Sequence, residues 1–336
     1  MQILKANTAD YPNPSISNMS SAHSFYVNDE NAIFVLGEWN DEKQRNDNRH
    51  FLKYKLLQDT FDVERLPIPD EIRLGDFNHV HFDEGAGIVY AVSGISIDSL
   101  KTENLTRTDH RIYSFDLRKK TWKELYRFAP EIAVREVVYN RGRGELILEI
   151  VVMAESPSND IKKLAVFGVI SGRMDEYPFP YETKAHDGFN LIVDDRDNLF
   201  IYGGYDRDDN CYNEMYRTDA AKPENADKCG VEMERGRTLA FGVYIPGLNA
   251  LMFIGGTYDG MTSALTSYLY YPEDQRWELI REFSPPPFDG TSVICFSREK
   301  NIVFCIDGFK WDRLEKKYSF KRKGIYAYPL DDLHTS

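Results

Sequence analysis

Apolar and polar residues alternate in short runs along most of this chain, and the runs come in matched pairs. Six times an alternating stretch meets a turn rich in Asp, Asn or Gly and then a second apolar stretch, often ended by glycine: Ser24–Glu38, Asn78–Gly94, Glu136–Met153, Phe189–Gly204, Leu239–Gly256 and Ser292–Gly308. A period of two is that of a strand with one buried face, and turn residues between two such runs predict a tight β-hairpin in each phrase. Downstream of each phrase lies a third run carrying an aromatic, and in most a fourth, as in Arg111–Leu125 and Ser267–Ile280. The phrases recur at about 50 to 60 residues, the mark of a repeat architecture.

A lone meander of that size cannot bury both faces of its sheet, whereas six packed face to face around an axis give each sheet two neighbours. The strands carry further marks. Gly203-Gly204 and Gly255-Gly256 end second strands, and an aromatic stands seven positions before a tryptophan in Phe115/Trp122 and Tyr270/Trp277, with Tyr54/Phe61 a weakened version. In these features the chain resembles the kelch-repeat family. It departs from the pattern where Ser93-Gly94 and Asp307-Gly308 keep one glycine, where the third phrase has neither, and where the fourth lacks a tryptophan.

The resemblance implies an all-β fold, a six-bladed kelch-like β-propeller of four-stranded antiparallel blades. One domain would fill residues 1–336, with blades over 21–67, 76–128, 135–180, 188–220, 237–281 and 291–330. The sixth blade runs out of sequence before a fourth strand, and residues 2–8 hold a β-capable run belonging to no phrase. That N-terminal strand is expected to complete the last blade and close the ring, removing an exposed edge. Trp39, Trp122, Trp277 and Trp311 are expected mainly to fill the wedges between blades or anchor loops.

Charge narrows the partners. With 41 Lys+Arg against 54 Asp+Glu the net charge is −13, which argues against nucleic acid and a polybasic membrane contact, because both need a basic face. The densest basic run, Lys316, Lys317, Lys321, Arg322 and Lys323, is interrupted by Tyr318, Ser319 and Phe320 and reads as a solvated loop or strand edge. No apolar run approaches the ~18 residues of a membrane span, and the first residues lack a leader's pattern, so a cytoplasmic protein is expected, and a monomer. Cys211, Cys229, Cys295 and Cys305 lack metal-ligand spacing and read as small buried thiols. No metal or cofactor is expected, although His79 and His81 share one face of an innermost strand and would need further donors to hold an ion. Asp206, Asp208 and Asn210 echo the start of a calcium loop that then fails at Cys211 and Arg217, leaving a solvated acidic loop.

In such a blade the long polar connections, among them residues 39–50, 95–110, 205–213 and 309–323, share one face with the inter-blade loops, and short turns take the other. Long loops on a rigid frame place the working surface on the first face. The residues opening the innermost strands would ring the channel mouth there: His23, Asn78, Arg135, His186, Asp187, Arg237 and Asp289. The planar forks of Arg135 and Arg237 suit a carboxylate-bearing peptide or a small polar ligand. The plainer alternative is a wet channel entrance with internal salt bridges.

No nucleophile elbow, HExxH, P-loop or dinucleotide fingerprint occurs. Two readings follow. The first is a non-catalytic protein-interaction module for a partner with an acidic epitope. The second is an isomerase or lyase, as in kelch-like sugar mutarotases, with a pair such as His186 and Asp187 as acid and base.

Overall fold

The computed structural model describes residues 2–7, 14, 24–40, 45–74, 78–93, 109–154, 160–183, 185, 187–206, 208, 210–230, 236–238, 240–258, 264, 266–280, 292–312, 317–320 and 324–331, with backbone alone at 39–40, 45–48, 187, 292, 307–312 and 317–320. Strand β1 (Gln2–Ala6) comes first. The first sheet is β2 (Ser24–Val27), β3 (Ala32–Asn40), β4 (Arg45–Leu56) and β5 (Thr60–Pro67), and the second is β6 (His79–Asp83), β7 (Ile88–Val92), β8 (Arg111–Asp116) and β9 (Thr121–Arg127). The third is β10 (Ile132–Asn140), β11 (Glu145–Val152), β12 (Ile161–Gly168) and β13 (Met174–Pro178), and the fourth is β14 (Asp187–Val193), β15 (Asn198–Tyr205), β16 (Met215–Asp219) and β17 (Asp227–Lys228). The fifth is β18 (Phe241–Ile245), β19 (Ala250–Ile254), β20 (Ser267–Tyr271) and β21 (Arg276–Ile280); the sixth holds β22 (Ser292–Ser297), β23 (Ile302–Asp312), β24 (Lys317–Phe320) and β25 (Ile325–Pro329).

The first five are antiparallel meanders of sequential strands; in the sixth, β23 pairs with β22 and β25 and, off that path, with β24, and β1 adds a strand beyond β25. It runs antiparallel to β25, pairing Gln2, Ile3 and Leu4 with Ala327, Tyr326 and Ile325. It then runs parallel to β5, pairing Lys5 and Ala6 with Thr60 and Phe61. The N-terminal run thus pairs with the last strand, as expected, and it also joins the first and sixth sheets into one nine-stranded sheet.

The six innermost hairpins turn alike. The residue just before each second strand is left-handed: Asn31, Gly87, Gly144, Asp197, Asn249 and Asn301 have φ between 45° and 67°. Asn, Asp and Gly enter that region at least cost, which is why these turns announce themselves in the sequence.

Among the described residues, six apolar clusters each lie between two successive sheets. Phe34, Phe51 and Phe115 pack between the first and second, Leu146, Leu148 and Phe167 with Ile112 between the second and third, and Ile147, Leu164 and Ile201 between the third and fourth. Tyr202, Phe253 and Tyr270 join the fourth to the fifth, and Met252, Ile294 and Tyr328 join the fifth to the sixth. The series returns to its start through Leu4, Tyr54, Phe304 and Ile325. The all-β fold is thus propeller-like in arrangement, each sheet burying both faces on neighbours.

Two tryptophans occupy the wedges as expected. Trp122 lies 4.8 Å from Phe115 and 5.8 Å from Phe51 of the first sheet. Trp277 lies 4.8 Å from Tyr270 and 5.5 Å from Tyr202 of the fourth. The side chains of Trp39 and Trp311 lie outside the described residues. The double glycines admit a crossing backbone: a Cβ on Gly203 would come 2.5 Å from the Arg237 carbonyl oxygen, and one on Gly256 2.6 Å from that of Thr238. Cys229, Cys295 and Cys305 are buried and Cys211 half-buried, all as free thiols. No helix among the described residues is long and apolar enough to cross a membrane.

Candidate functional site

The six innermost strands all begin at one end of the molecule and finish at the other, so the region between them has a loop end and a turn end. At the loop end two hairpins outgrow their sheets. β3 and β4 continue past the point where β2 begins, pairing Glu38, Trp39 and Asn40 with Asp47, Asn46 and Arg45. β23 and β24 do the same beyond the start of β22, pairing Phe309–Asp312 with Lys317–Phe320. These extensions belong to neighbouring sheets, stitched together by β1.

Of the seven mouth residues read from the sequence, His23, His186 and Asp289 lie outside the described residues, and Asp187 contributes only its backbone, paired with Tyr205. Asn78 is buried just before β6. Arg135 sits half-buried at a bulge, where the register of β10 against β11 shifts between Val134 and Glu136. It acts on His110: burial holds that imidazole below its usual pKa despite a 2.6 Å contact with the Ser93 carbonyl, and the Arg135 charge adds to the depression.

Arg237 is a correction. It is buried rather than presented as an open fork, and both of its terminal nitrogens are engaged within the protein. Nη1 donates to the carbonyls of Gly255 at 2.9 Å and Thr266 at 2.8 Å, Nη2 to Thr266 Oγ1 at 2.9 Å, and the Tyr268 ring lies 4.9 Å away. A buried guanidinium must find such partners, and here it acts as a strut within the fifth sheet. Sequence position places Arg237 near an innermost strand but cannot show that residues 236–238 are strapped against the two double glycines.

The acidic loop is exposed at Asp208 and Asn210, as read from the sequence, and its described residues are linked through Asp206. The Asp206 carboxylate accepts from the backbone N–H groups of Asp208 and Asn210, the Asn210 amide and the Tyr212 hydroxyl. These bonds, that of the Asn210 side chain foremost, pull its pKa down to about 2. Among the described residues no three His, Cys, Asp or Glu side chains are grouped to hold a metal.

Between the two ends lies a cavity of about 560 Å³ with walls from β2, β6, β10, β14, β18 and β22. That size is typical of a small-molecule site. Glu136 lines it, and behind that wall lies His79; both are buried, with His79 Nδ1 3.8 Å from Glu136 Oε1. His81 gives one ring N–H to the Val137 carbonyl, and burial lowers its pKa to about 4. The sequence flags the two histidines; Glu136 it does not, since its partner comes from another repeat. The charged pair Arg135-Glu136 set between Ala133-Val134 and Val137-Val138 is the signal that could have found it.

The cavity reaches the turn end, where the turns are laced together. Glu84 accepts from Asn28 at 2.5 Å and Arg141 at 3.3 Å, and Asn28 also bonds Glu299. Asn140 donates to Asp197 at 2.9 Å, and Arg298 pairs with Asp195. Side-chain links thus run through the turns of the sixth, first, second, third and fourth sheets and back to the sixth.

No family model matches this sequence, and no curated protein matches it. Among solved structures, the one titled "Structure of YjhT" aligns with a TM-score of 0.60 and 11% identity, covering 96% of this chain and 99% of that one. At that identity the likeness shows a shared fold alone.

Proposed function

We propose that this chain is a six-bladed kelch-like β-propeller that works as a protein-interaction module through its loop end. The six apolar clusters, the double glycines and the tryptophan wedges support the blade count and the family type. The observation that carries the interaction reading is the pair of hairpins, β3/β4 and β23/β24, that extend from neighbouring sheets at this end. A rigid ring gains no core from such extensions, whereas a binding surface gains reach.

The chemistry of one hairpin suggests the partner. Residues 309–323 carry seven Lys or Arg against Asp312 and Glu315, within a chain whose net charge is −13. A local reversal of that kind favours an acidic epitope and suppresses self-association. Arg135 remains a candidate contact at the same mouth.

Quantitative capture from lysate of the source cells tests this. Replacing Lys316, Lys317, Lys321, Arg322 and Lys323 by glutamate should remove an acidic partner by about tenfold or more, and Arg135→Ala should weaken it less. Arg141→Ala with Arg298→Ala, at the turn end, should leave it bound. Equal retention by all three proteins overturns the reading and moves isomerase or lyase chemistry ahead.

A further inference from the structure

The central cavity is a site independent of the loop-end surface, and its walls are chemically one-sided. Five carboxylates line it, Glu84, Glu136, Asp194, Asp195 and Asp197, against two guanidiniums, Arg141 and Arg298. Asp194 is committed to its own turn, accepting from Arg196 N and Asn198 N. Asp195 and Glu84 meet the two arginines, so the balance of the lining stays negative. Between mouth and floor the wall is aromatic: Phe82, Tyr139, Phe241, Tyr244 and Phe296 all line it and are half-buried. The hydroxyls of Tyr139 and Tyr244 are engaged by Asp83 and Asn249.

At depth the polar groups are acceptors. With one ring N–H of His81 given to the Val137 carbonyl, the other nitrogen, Nε2, carries a lone pair, and it is sealed from solvent with no partner. An unpaired buried acceptor is costly unless something donates to it. Burial keeps this ring neutral at pH 7, since its pKa is about 4. Glu136 adds a carboxylate on the adjoining strand.

We propose that the central cavity binds a small organic ammonium, entering from the turn end, with its N–H groups donated to His81 Nε2 and the Glu136 carboxylate and its apolar body held by the aromatic wall. A net-negative mouth concentrates cations, and aromatic rings stabilise an ammonium once water is excluded. An anion of the same shape meets the carboxylate surplus and finds no donor at His81. A neutral analogue loses the charge attraction to the carboxylate surplus, Glu136 included.

Titration calorimetry with 2-phenylethylammonium, 2-phenylethanol and 3-phenylpropanoate tests this on the whole chain. The ammonium should bind saturably, one per chain, with the alcohol and the carboxylate weaker by about tenfold or more. Glu136→Gln and His81→Phe should each weaken the ammonium by about tenfold, with unchanged far-ultraviolet circular dichroism. Should Glu136→Gln fail to fold, Val243→Trp fills the cavity from a half-buried wall position and should abolish binding. Three results overturn the proposal: no saturable binding of the ammonium at millimolar concentration, equal or tighter binding of the carboxylate, or ammonium binding that survives both Val243→Trp and His81→Phe. Capture of a loop-end partner is unaffected by these variants, so this proposal and the interaction reading fail separately.

Discussion

The third and fifth sheets solve the same packing problem with different residues. The fifth has strands of five residues each, ended by Gly255-Gly256 and wedged by Tyr270 and Trp277 against the fourth sheet. The third has neither double glycine nor tryptophan, and instead pairs β11 with β12 over eight positions, from Glu145↔Gly168 to Val152↔Ile161. Its Leu146, Ile147, Leu148, Ile150 and Leu164 are all essentially inaccessible and face two seams alternately. Aliphatic length replaces aromatic bulk. What the architecture demands is filled volume on both faces, and the pairing of double glycine with tryptophan is only one way to supply it.

The largest expected effect comes from removing what the two sheets share, a closed series of neighbours. Deleting residues 1–8 strips the pairing of β1 with both β25 and β5, and the thermal transition should fall further than for any point substitution. An unchanged transition breaks the closure argument. Next come the fillers themselves: Trp277→Ala should cost about 3–5 kcal/mol, and Leu148→Ala about 2–5 kcal/mol, measured by denaturant unfolding. Near-equal losses sharpen the equivalence of the two solutions.

Glycine should separate the sheets more clearly. Gly256, at φ 93°, has the Thr238 carbonyl where a Cβ would stand, whereas Gly172 in the third sheet, at φ 68°, has nothing within 4 Å. Gly256→Ala is expected to cost about 3 kcal/mol and Gly172→Ala about 1 kcal/mol. Acid should act where the second sheet meets the third, through His81 and His110. Folding depresses the pKa of His81, so between about pH 6.5 and 4 the unfolded chain binds a proton that the folded chain does not. His110 is depressed as well and shifts the balance in the same direction. Stability should therefore decline as pH falls through that window, with a shallower decline in His81→Phe.

How much of this was legible beforehand follows the range of each interaction. The hairpins were, because Asn31, Gly87, Gly144, Asp197, Asn249 and Asn301 answer to local backbone sterics and any reader of turns sees them. The closing strand was, because a missing fourth strand and a spare run can be matched by counting. The site was less so. Arg237 reads as a ligand fork until the carbonyls of Gly255 and Thr266 are seen to occupy it. Glu136 and His79 meet only because two repeats are folded side by side, a contact that no local spacing encodes.

The parallel and antiparallel pairings of β1 also set an order of events at the ribosome. β1 is synthesised before the other described strands and β25 after them, so the first sheet can form early while the stitch to the sixth waits for β25. Until then two edges stay open to intermolecular pairing. A nascent chain stalled before Ile325 is consequently the form most exposed to domain exchange or to capture by chaperones.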